Sequence, residues 1–294
     1  MTAAEEGVLL LCCRLGDPDC KPLTTAQFRE LGLRVRAAIP DSDPLSELSL
    51  RDLIRLGYTA EESTRILCLL ERKRQLSDYL SEGERKGIVP LTRISSDYPQ
   101  RISRARKFSA PPVLFASGDL SLLAQPSVAV VGSRQLHPEN EAFAVQAGRT
   151  AAKEGLVLVS GNAHGADRTA QNACLEAGGS CIVFTADRLM DHRPQEHMLY
   201  LSEDGYDLSF SAYRALHRNS LIHIQGDKTI AAQCTYGKGG TWEGSLDNLK
   251  HSWSPLFVFD DSSSGAQALI ERGATGVKTL SSVLELTPSQ ISFF

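Results

Sequence analysis

The sequence predicts an α/β protein with a Rossmann-like, doubly wound and mostly parallel sheet, preceded by a small N-terminal helical domain. Two observations support this prediction. After residue 126, short apolar runs such as SVAVV alternate with amphipathic stretches that are typical of helices. The first 85 residues instead show only helical periodicity.

Helices are predicted in three stretches of the N-terminal segment: TTAQFRELGLRVRAA, SLRDLIRLG and TAEESTRILCLLERKRQLSDYLSEGER. Thr59 opens the third stretch and Glu62 follows three positions later, which is the spacing of a capping box. We therefore place a helical domain over residues 1–85. The simplest role for it is to pack against the domain that follows.

Residues 86–126 form a basic connector with one predicted short strand, Val113–Ala116. This segment contains six lysines and arginines against two acidic residues, whereas the segments on either side are net acidic. Its cations are Lys86, Arg93, Arg101, Arg104, Arg106 and Lys107. Two interpretations remain open, a solvated connector and a patch that faces phosphate.

A Rossmann-like domain is predicted over residues 127–281, and a C-terminal tail over residues 282–294. Its predicted strands are SVAVV, LVLVSG, CIVFTA, TIAAQC, PLFVFDD and GVKTL. Helices are predicted near residues 139–154, 166–177, 241–251 and 266–272. Near-continuous apolar strands that alternate with helices indicate a parallel sheet covered on both faces.

Composition is that of an ordinary globular protein, with 42% hydrophobic and 22% charged residues. No apolar run has the length of a membrane span, so we expect no membrane association. Seven scattered cysteines without CxxC spacing indicate reduced thiols, and we expect a cytoplasmic protein. We expect no metal and no cofactor, because paired metal ligands and GxGxxG spacing are both missing.

Three polar, glycine-containing segments follow predicted strands at what should be one edge of the sheet. Ligands bind at that edge in doubly wound proteins, beside helix N-termini whose N–H groups attract anions. The candidate phosphate-binding residues are Gly132, Ser133, Arg134, Ser160, Gly161, Gly165, Arg218, Asn219, Lys238, Gly239, Gly240 and Thr241. No catalytic residue is predicted among them.

The order and spacing of several motifs resemble the DNA-processing protein A family, also called Smf. These motifs are DYP (97–99), PPVLFASGD (111–119), VAVVGSR (128–134), SGNAHGAD (160–167), LSE (201–203), RNSLI (218–222) and GAQALIERGA (265–274). The resemblance implies a protein that binds single-stranded DNA and helps to load a RecA-type recombinase, without established catalysis. It also implies that Gly132, Ser133 and Arg134 contact DNA phosphate, with Gly161, Gly165 and Arg218 completing the pocket.

Two motifs depart from the family pattern. Asn162, His164 and Ala166 interrupt the usual second motif, and Gln171 stands where that motif has a histidine. The run KGGTWEGS (238–245) is similar to a motif of the lonely-guy and molybdenum-cofactor carrier proteins.

That similarity keeps an alternative open, a small-nucleotide sensor or a nucleotide N-glycosidic hydrolase. In the hydrolase, Glu243 and Asp167 would polarise water as a pair of carboxylates. His164 is a candidate general acid, although a lone histidine after a strand is more often a hydrogen-bonded loop residue. We expect a binding protein rather than an enzyme.

Aromatic residues and the chain end give the remaining hypotheses. Tyr213, Tyr236 and Trp242 are candidates for base stacking, but Trp242 is expected to pack its helix onto the sheet instead. The last five residues, from Gln290 to Phe294, resemble the short peptide with which bacterial DNA-handling proteins dock on the sliding clamp. In that mode Gln290 fixes the register, and Ile291, Phe293 and Phe294 are the apolar anchors. Folding of the tail back onto the domain is the alternative, and a homodimer is a further hypothesis.

Overall fold

One mixed sheet organises the structure, a computed structural model that describes residues 1–38, 48–193 and 195–288. Its strands are β1 (Ile88–Thr92), β2 (Val113–Gly118), β3 (Ser127–Val131), β4 (Val157–Ser160), β5 (Cys181–Thr185), β6 (Met198–Glu203), β7 (Lys228–Ala231), β8 (Leu256–Phe259) and β9 (Thr275–Val277). The spatial order of these strands is β1-β2-β6-β5-β4-β3-β7-β8-β9. The predicted α/β class is therefore confirmed.

Helices precede the sheet and connect its strands. They are α1 (Ala3–Cys12), α2 (Thr25–Ala38), α3 (Leu50–Arg55), α4 (Ala60–Leu70), α5 (Lys73–Arg85), α6 (Gln100–Arg104), α7 (Pro138–Lys153), α8 (Ala166–Glu176), α9 (Ala212–Gln225), α10 (Gly239–His251) and α11 (Ser264–Glu271). Within the described residues, the regular elements of the N-terminal segment are all helices, as predicted. The exact chain division at residues 85, 126 and 281 remains a prediction.

The central strands run parallel, and their order defines a switch point. From β3 the chain winds outward through β4, β5 and β6, and then returns to place β7 on the other side of β3. Doubly wound sheets open a crevice at such a reversal, because the connections on the two sides lead away in opposite directions. The carboxyl ends of β3 and β7 border this crevice.

Two antiparallel strands extend the sheet beyond β6. Strand β2 pairs with β6, and β1 pairs with β2 so that Pro90 lies opposite Phe115. The segment predicted as a connector with one short strand thus contributes two strands to the same sheet. Proline fits at β1 because an edge strand leaves one side of its backbone without a ladder partner.

Alternate residues of each central strand enter two separate cores. On β3, Val128 and Val130 belong to the core beneath α7 and α8, whereas Ala129 and Val131 belong to the core beneath α9, α10 and α11. Burial on both faces explains why the central strands are apolar throughout.

The N-terminal helices share the first of these cores. The predicted capping box at Thr59 and Glu62 is present, because the Thr59 side chain accepts from Glu62 N–H and the Glu62 side chain accepts from Thr59 N–H. On α5 the Tyr79 ring stacks on Tyr206 with centroids 4.1 Å apart, and its hydroxyl donates to Asp207 Oδ1 at 2.6 Å. These contacts join the helices to the loop after β6.

Five elements were not predicted: α1, α6, β1, β6 and α9. The other predicted strands and helices are present, with shifts of a few residues at their ends. None of the helices within the described ranges has the length and apolarity to cross a membrane.

Candidate functional site

A cavity of about 640 Å³ lies at the switch point. Its walls are the loop after β3, the loop after β7, the start of α10 and one face of α9. The predicted residues that line it are Gly132, Ser133, Arg134, Arg218, Asn219, Lys238, Gly239, Gly240 and Thr241. The structure therefore brings together nine of the twelve candidates, from three separate stretches of sequence.

The loops after β3 and β4 are fastened to each other. Ala166 N–H donates to Ser133 O at 3.1 Å, and the His164 ring nitrogen Nδ1 lies 2.9 Å from Arg134 O. Gly165 has a φ of +86°, and a β-carbon there would lie 2.3 Å from Ser133 O. A side chain at Gly165 would therefore push the Ser133 loop away. His164 is a hydrogen-bonded loop residue, as expected for a histidine in that position.

Arg218 lies at the back of the cavity, on α9. Only 7% of this residue is exposed, and its guanidinium rests directly on the backbone of Gly161. A β-carbon at Gly161 would lie 1.0 Å from Arg218 Nη1, so only glycine leaves room for this side chain. Gly161 thus serves the site by making space, without lining the cavity itself.

Asp167 is the carboxylate nearest to Arg218, and it only partly compensates the buried charge. Its Oδ2 atom lies 3.7 Å from Arg218 Nη1 and accepts from the N–H groups of Gly161 at 3.0 Å and Ala163 at 3.3 Å. Burial lowers the pKa of Arg218, and burial raises the pKa of Asp167 despite the arginine beside it. For each group, therefore, burial disfavours the charged form more than attraction to the other group favours it.

Within the described part of the chain, the Arg218 guanidinium makes no hydrogen bond, and its Nε atom is buried without a partner. Guanidinium groups in protein interiors are normally hydrogen-bonded, since an unpaired buried donor is costly. A guanidinium that faces a cavity and has no hydrogen-bond partner is suited to bind an anionic ligand with several acceptor oxygens.

The N-terminus of α10 faces the same cavity. None of the described side chains caps this helix, so its first N–H groups remain available at Gly239, Gly240 and Thr241. Asn219 Nδ2 donates to Gly240 O at 3.2 Å and fixes the start of the helix against α9. Lys238, which is exposed, adds a positive charge beside it. Helix N-termini of this kind favour negatively charged groups.

Charge at the cavity is mainly positive. Its described lining contains three cations, Arg134, Arg218 and Lys238, and one carboxylate, Asp167. Glu243 is exposed and is not among the residues that the structure places in this lining. The pair of carboxylates that the hydrolase alternative needs is therefore not assembled at the cavity.

Three predicted site residues lie behind the lining. Ser160 is fully buried and its hydroxyl accepts from the Gln171 side chain, so that Gln171 supports the end of β4. Gly161 and Gly165 shape the wall as described above. These residues support the site structurally, and their position gives them no direct access to the cavity.

Several lining residues were not predicted, notably Phe210, Leu216 and Gln233. Phe210 and Leu216 are 57% and 53% exposed, and together they form an apolar rim. Gln233 holds the two loops of the crevice together, because its side chain accepts from His137 N–H at 2.9 Å and donates to Gln135 O at 3.1 Å. No sequence motif marks these residues, although all three lie near predicted ones.

The aromatic candidates separate into two groups. Trp242 is 5% exposed and packs in the core beneath α10, as expected. Tyr213 and Tyr236 are 78% and 53% exposed. The proposed clamp-binding residues Gln290, Ile291, Phe293 and Phe294 lie outside the described residues, so that hypothesis remains a prediction.

A cationic cavity at the switch point of a doubly wound sheet defines an α/β protein of the kind that binds anionic ligands at its strand ends. The model of the family DNA recombination-mediator protein A matches residues 90–288. The chain belongs to this family.

Relatives and solved structures agree with that assignment. The DNA processing protein DprA of Streptococcus pneumoniae is 29% identical over 229 residues, which cover 73% of this chain and 80% of that protein. The crystal structure of the S. pneumoniae protein superposes with a TM-score of 0.71 and 24% identity, over 95% of this chain and 96% of that one. The structure of DNA processing protein A from Helicobacter pylori, which was solved for its single-stranded DNA binding mode, superposes with a TM-score of 0.56 and 26% identity. The match covers 65% of this chain and 91% of that one.

Proposed function

We propose that the protein binds single-stranded DNA during DNA recombination and holds backbone phosphate in the cavity between β3 and β7. One observation carries this proposal: the Arg218 guanidinium is a buried cation at the cavity and makes no hydrogen bond within the described residues. A phosphate group offers several acceptor oxygens and a negative charge. It would therefore supply both the hydrogen-bond acceptors and the opposite charge that the buried guanidinium lacks.

Binding would use groups from both sides of the switch point. Arg134 and the Ser133 hydroxyl reach the phosphate from the loop after β3, and the free N–H groups of α10 reach it from the opposite wall. Lys238 lies at the mouth, where it attracts the neighbouring phosphate. Family membership and the DNA-binding relative from H. pylori both support this proposal.

The biological setting follows from the family. We infer that the protein acts in the cytoplasm and passes its bound strand to a RecA-type recombinase. A homodimer would suit that role, because two copies hold a longer stretch of strand. These inferences rest on the description of the family as recombination mediators.

A small nucleotide is the alternative ligand. A volume of about 640 Å³ would accommodate a nucleoside monophosphate, which would use the same phosphate-binding groups. The two ligands differ in one respect, since a strand extends beyond the cavity and a monophosphate does not. Affinity that rises with oligonucleotide length therefore favours single-stranded DNA.

The test is fluorescence anisotropy with a labelled oligothymidylate, repeated in competition with nucleoside monophosphates. Arg218→Ala should weaken binding, and Arg149→Ala should not, because Arg149 is exposed on α7, a helix that covers the other core. Arg134→Ala, at an exposed position, gives the same test without disturbing a buried side chain. Wild-type affinity in both Arg218→Ala and Arg134→Ala would refute the proposal. Displacement of the strand by equimolar monophosphate would favour the alternative.

A further inference from the structure

Three rings form a stack beside α9, on the face next to the one that lines the cavity. Tyr213 lies on His217 with centroids 6.3 Å apart and planes inclined by 13°, and His217 lies on Phe108 at 5.3 Å and 24°. Phe108 in turn meets the edge of Trp253 at 5.6 Å. We call Tyr213, His217 and Phe108 the ring stack.

The ring stack is fixed at its inner end and open at its outer end. Trp253 Nε1 donates to Arg106 O at 3.1 Å, and His217 Nδ1 lies 2.5 Å from Glu203 Oε2. Tyr213, in contrast, is 78% exposed, the highest fraction of any described aromatic residue among the exposed large hydrophobics. Packing alone does not require a tyrosine there, since most of its ring contacts water.

Three cations lie in the short stretch of chain that leads to Phe108, at the inner end of the ring stack. Arg104, Arg106 and Lys107 are all exposed, and none of them forms an ion pair with any residue in the described ranges. They belong to the basic connector, whose two interpretations the sequence left open. Their position beside the ring stack favours a patch that faces phosphate.

Helix α9 links this surface to the cavity. Ala212, Ala215 and Asn219 line the cavity, while Tyr213 and His217 lie one turn apart on the neighbouring face. Leu216 belongs to the rim and is 53% exposed, so an exposed apolar side chain lies on the ridge between the two surfaces. A strand that leaves the cavity over this ridge arrives at the outer face of Tyr213.

We propose that a single strand held in the cavity crosses α9, stacks one base on Tyr213 and directs its next phosphates toward Arg104, Arg106 and Lys107. This inference rests on the proposed function. It identifies the ring stack as a base platform and the basic connector as the continuation of the phosphate path. Exposed aromatic rings beside unpaired cations are the usual combination in surfaces that bind single strands without reading their sequence.

The chemistry of this surface indicates that its ligand is a single nucleic acid strand. A peptide with acidic residues would satisfy the cations, but it would have no particular use for a flat ring that is open on one face. A nucleic acid strand supplies both a planar base and phosphates in alternation along one chain. Duplex DNA does not fit this role, because its bases are already stacked on one another.

The test compares two oligothymidylates, one of about three nucleotides that fills only the cavity and one of about fifteen that extends past α9. Tyr213→Ala should weaken binding of the long strand about ten-fold, because that is the change in affinity expected when one base loses its stacking partner. The affinity for the short strand should be unchanged. Tyr213→Phe keeps the ring and should restore wild-type affinity. The triple variant Arg104→Gln, Arg106→Gln, Lys107→Gln should reduce the salt dependence of the long strand only. Arg36→Gln, exposed on α2, is the matched charge control.

Each outcome has a separate meaning. Equal affinity of Tyr213→Ala and wild type for the long strand overturns the base platform, even if both strands bind well. Equal weakening of both strands also overturns it, because Tyr213 would then act on the cavity. If the wild type binds neither the short nor the long strand, the proposed function itself is refuted.

Discussion

Gly161→Ala should abolish the contribution of Arg218 without removing any charged group. The new β-carbon would lie 1.0 Å from Arg218 Nη1 and 2.3 Å from Cζ. The guanidinium must therefore move by about 2 Å or more to reach an ordinary contact distance of about 3.5 Å. Because the obstructing atoms are the far end of a flexible side chain, the arginine can swing outward and the backbone can stay in place.

The expected loss can be estimated from that displacement. A hydrogen bond to a charged group is worth about 1.5–3 kcal/mol, which corresponds to about a ten- to hundred-fold weaker affinity. The slope of log affinity against log salt should decrease by about 0.7, the value for one phosphate contact on a single strand. Anisotropy titrations with an oligothymidylate at several salt concentrations measure both quantities.

Two controls make this prediction specific. Gly32→Ala changes a glycine on α2 with no atom within 4 Å of the new β-carbon, and DNA binding should be unchanged. The double variant Gly161→Ala, Arg218→Ala should bind no more weakly than Arg218→Ala alone, because both changes remove the same interaction. Additive losses would show that Gly161 acts independently of Arg218, and wild-type affinity in Gly161→Ala would refute the placement of Arg218 at the phosphate.

Three further predictions concern charge, pH and stability. Arg134→Ala and Lys238→Ala should each weaken strand binding and reduce its salt slope by about 0.7, whereas an unchanged slope would exclude a phosphate contact. Burial opposes the charged form of His217, but its hydrogen bond to Glu203 outweighs burial and raises the pKa of the histidine. The resulting stabilisation is complete below about pH 6.5, the ordinary histidine value, and is lost as the pH rises through the raised pKa. Thermal unfolding of wild type should therefore show this loss, and Glu203→Gln should lack it; parallel pH profiles of the two proteins would contradict the assignment. Tyr79→Phe removes the hydroxyl that donates to Asp207 and accepts from Tyr206 N–H, and should lower the free energy of unfolding by about 1–3 kcal/mol with DNA affinity unchanged, as measured by denaturant titration.

The central strands could be predicted because both of their faces are buried. Strands β3, β5 and β8 are nearly continuous apolar runs of four or five residues, rich in branched and aromatic side chains, and a run that short is more typical of a buried strand than of a helix. Strand β1 is not a continuous apolar run, because an edge strand need not be buried on both faces. It also tolerates Pro90, since not every residue of an edge strand must donate a backbone hydrogen bond. Its assignment depends on pairing with β2, which only the folded chain provides.

Helix α9 was missed for a related reason. It buries Arg218, His223 and Gln225, which sequence patterns assign to a polar face. Two of those residues have partners from distant parts of the chain: Asp167 lies beside Arg218, and Leu123 O accepts from the Gln225 side chain. Local periodicity carries no information about such partners.

The site was predictable to the extent that it follows from topology. Parallel strands place their carboxyl ends at one edge of the sheet, so loops after β3 and β7 were expected to meet. The function of Gly161 was not predictable in this way. It depends on the contact between Gly161, in the loop after β4, and Arg218, on α9, which meet only in the folded protein.

The edges of the sheet have a consequence for concentrated solutions of the protein. Strand β1 carries Pro90 at its centre, and β9, at the opposite edge, is only three residues long. A second copy that approached either edge would find few consecutive backbone groups with which to extend the ladder. Strand addition between copies is therefore unfavourable, and association of this protein should proceed through side-chain surfaces and not through growth of its sheet.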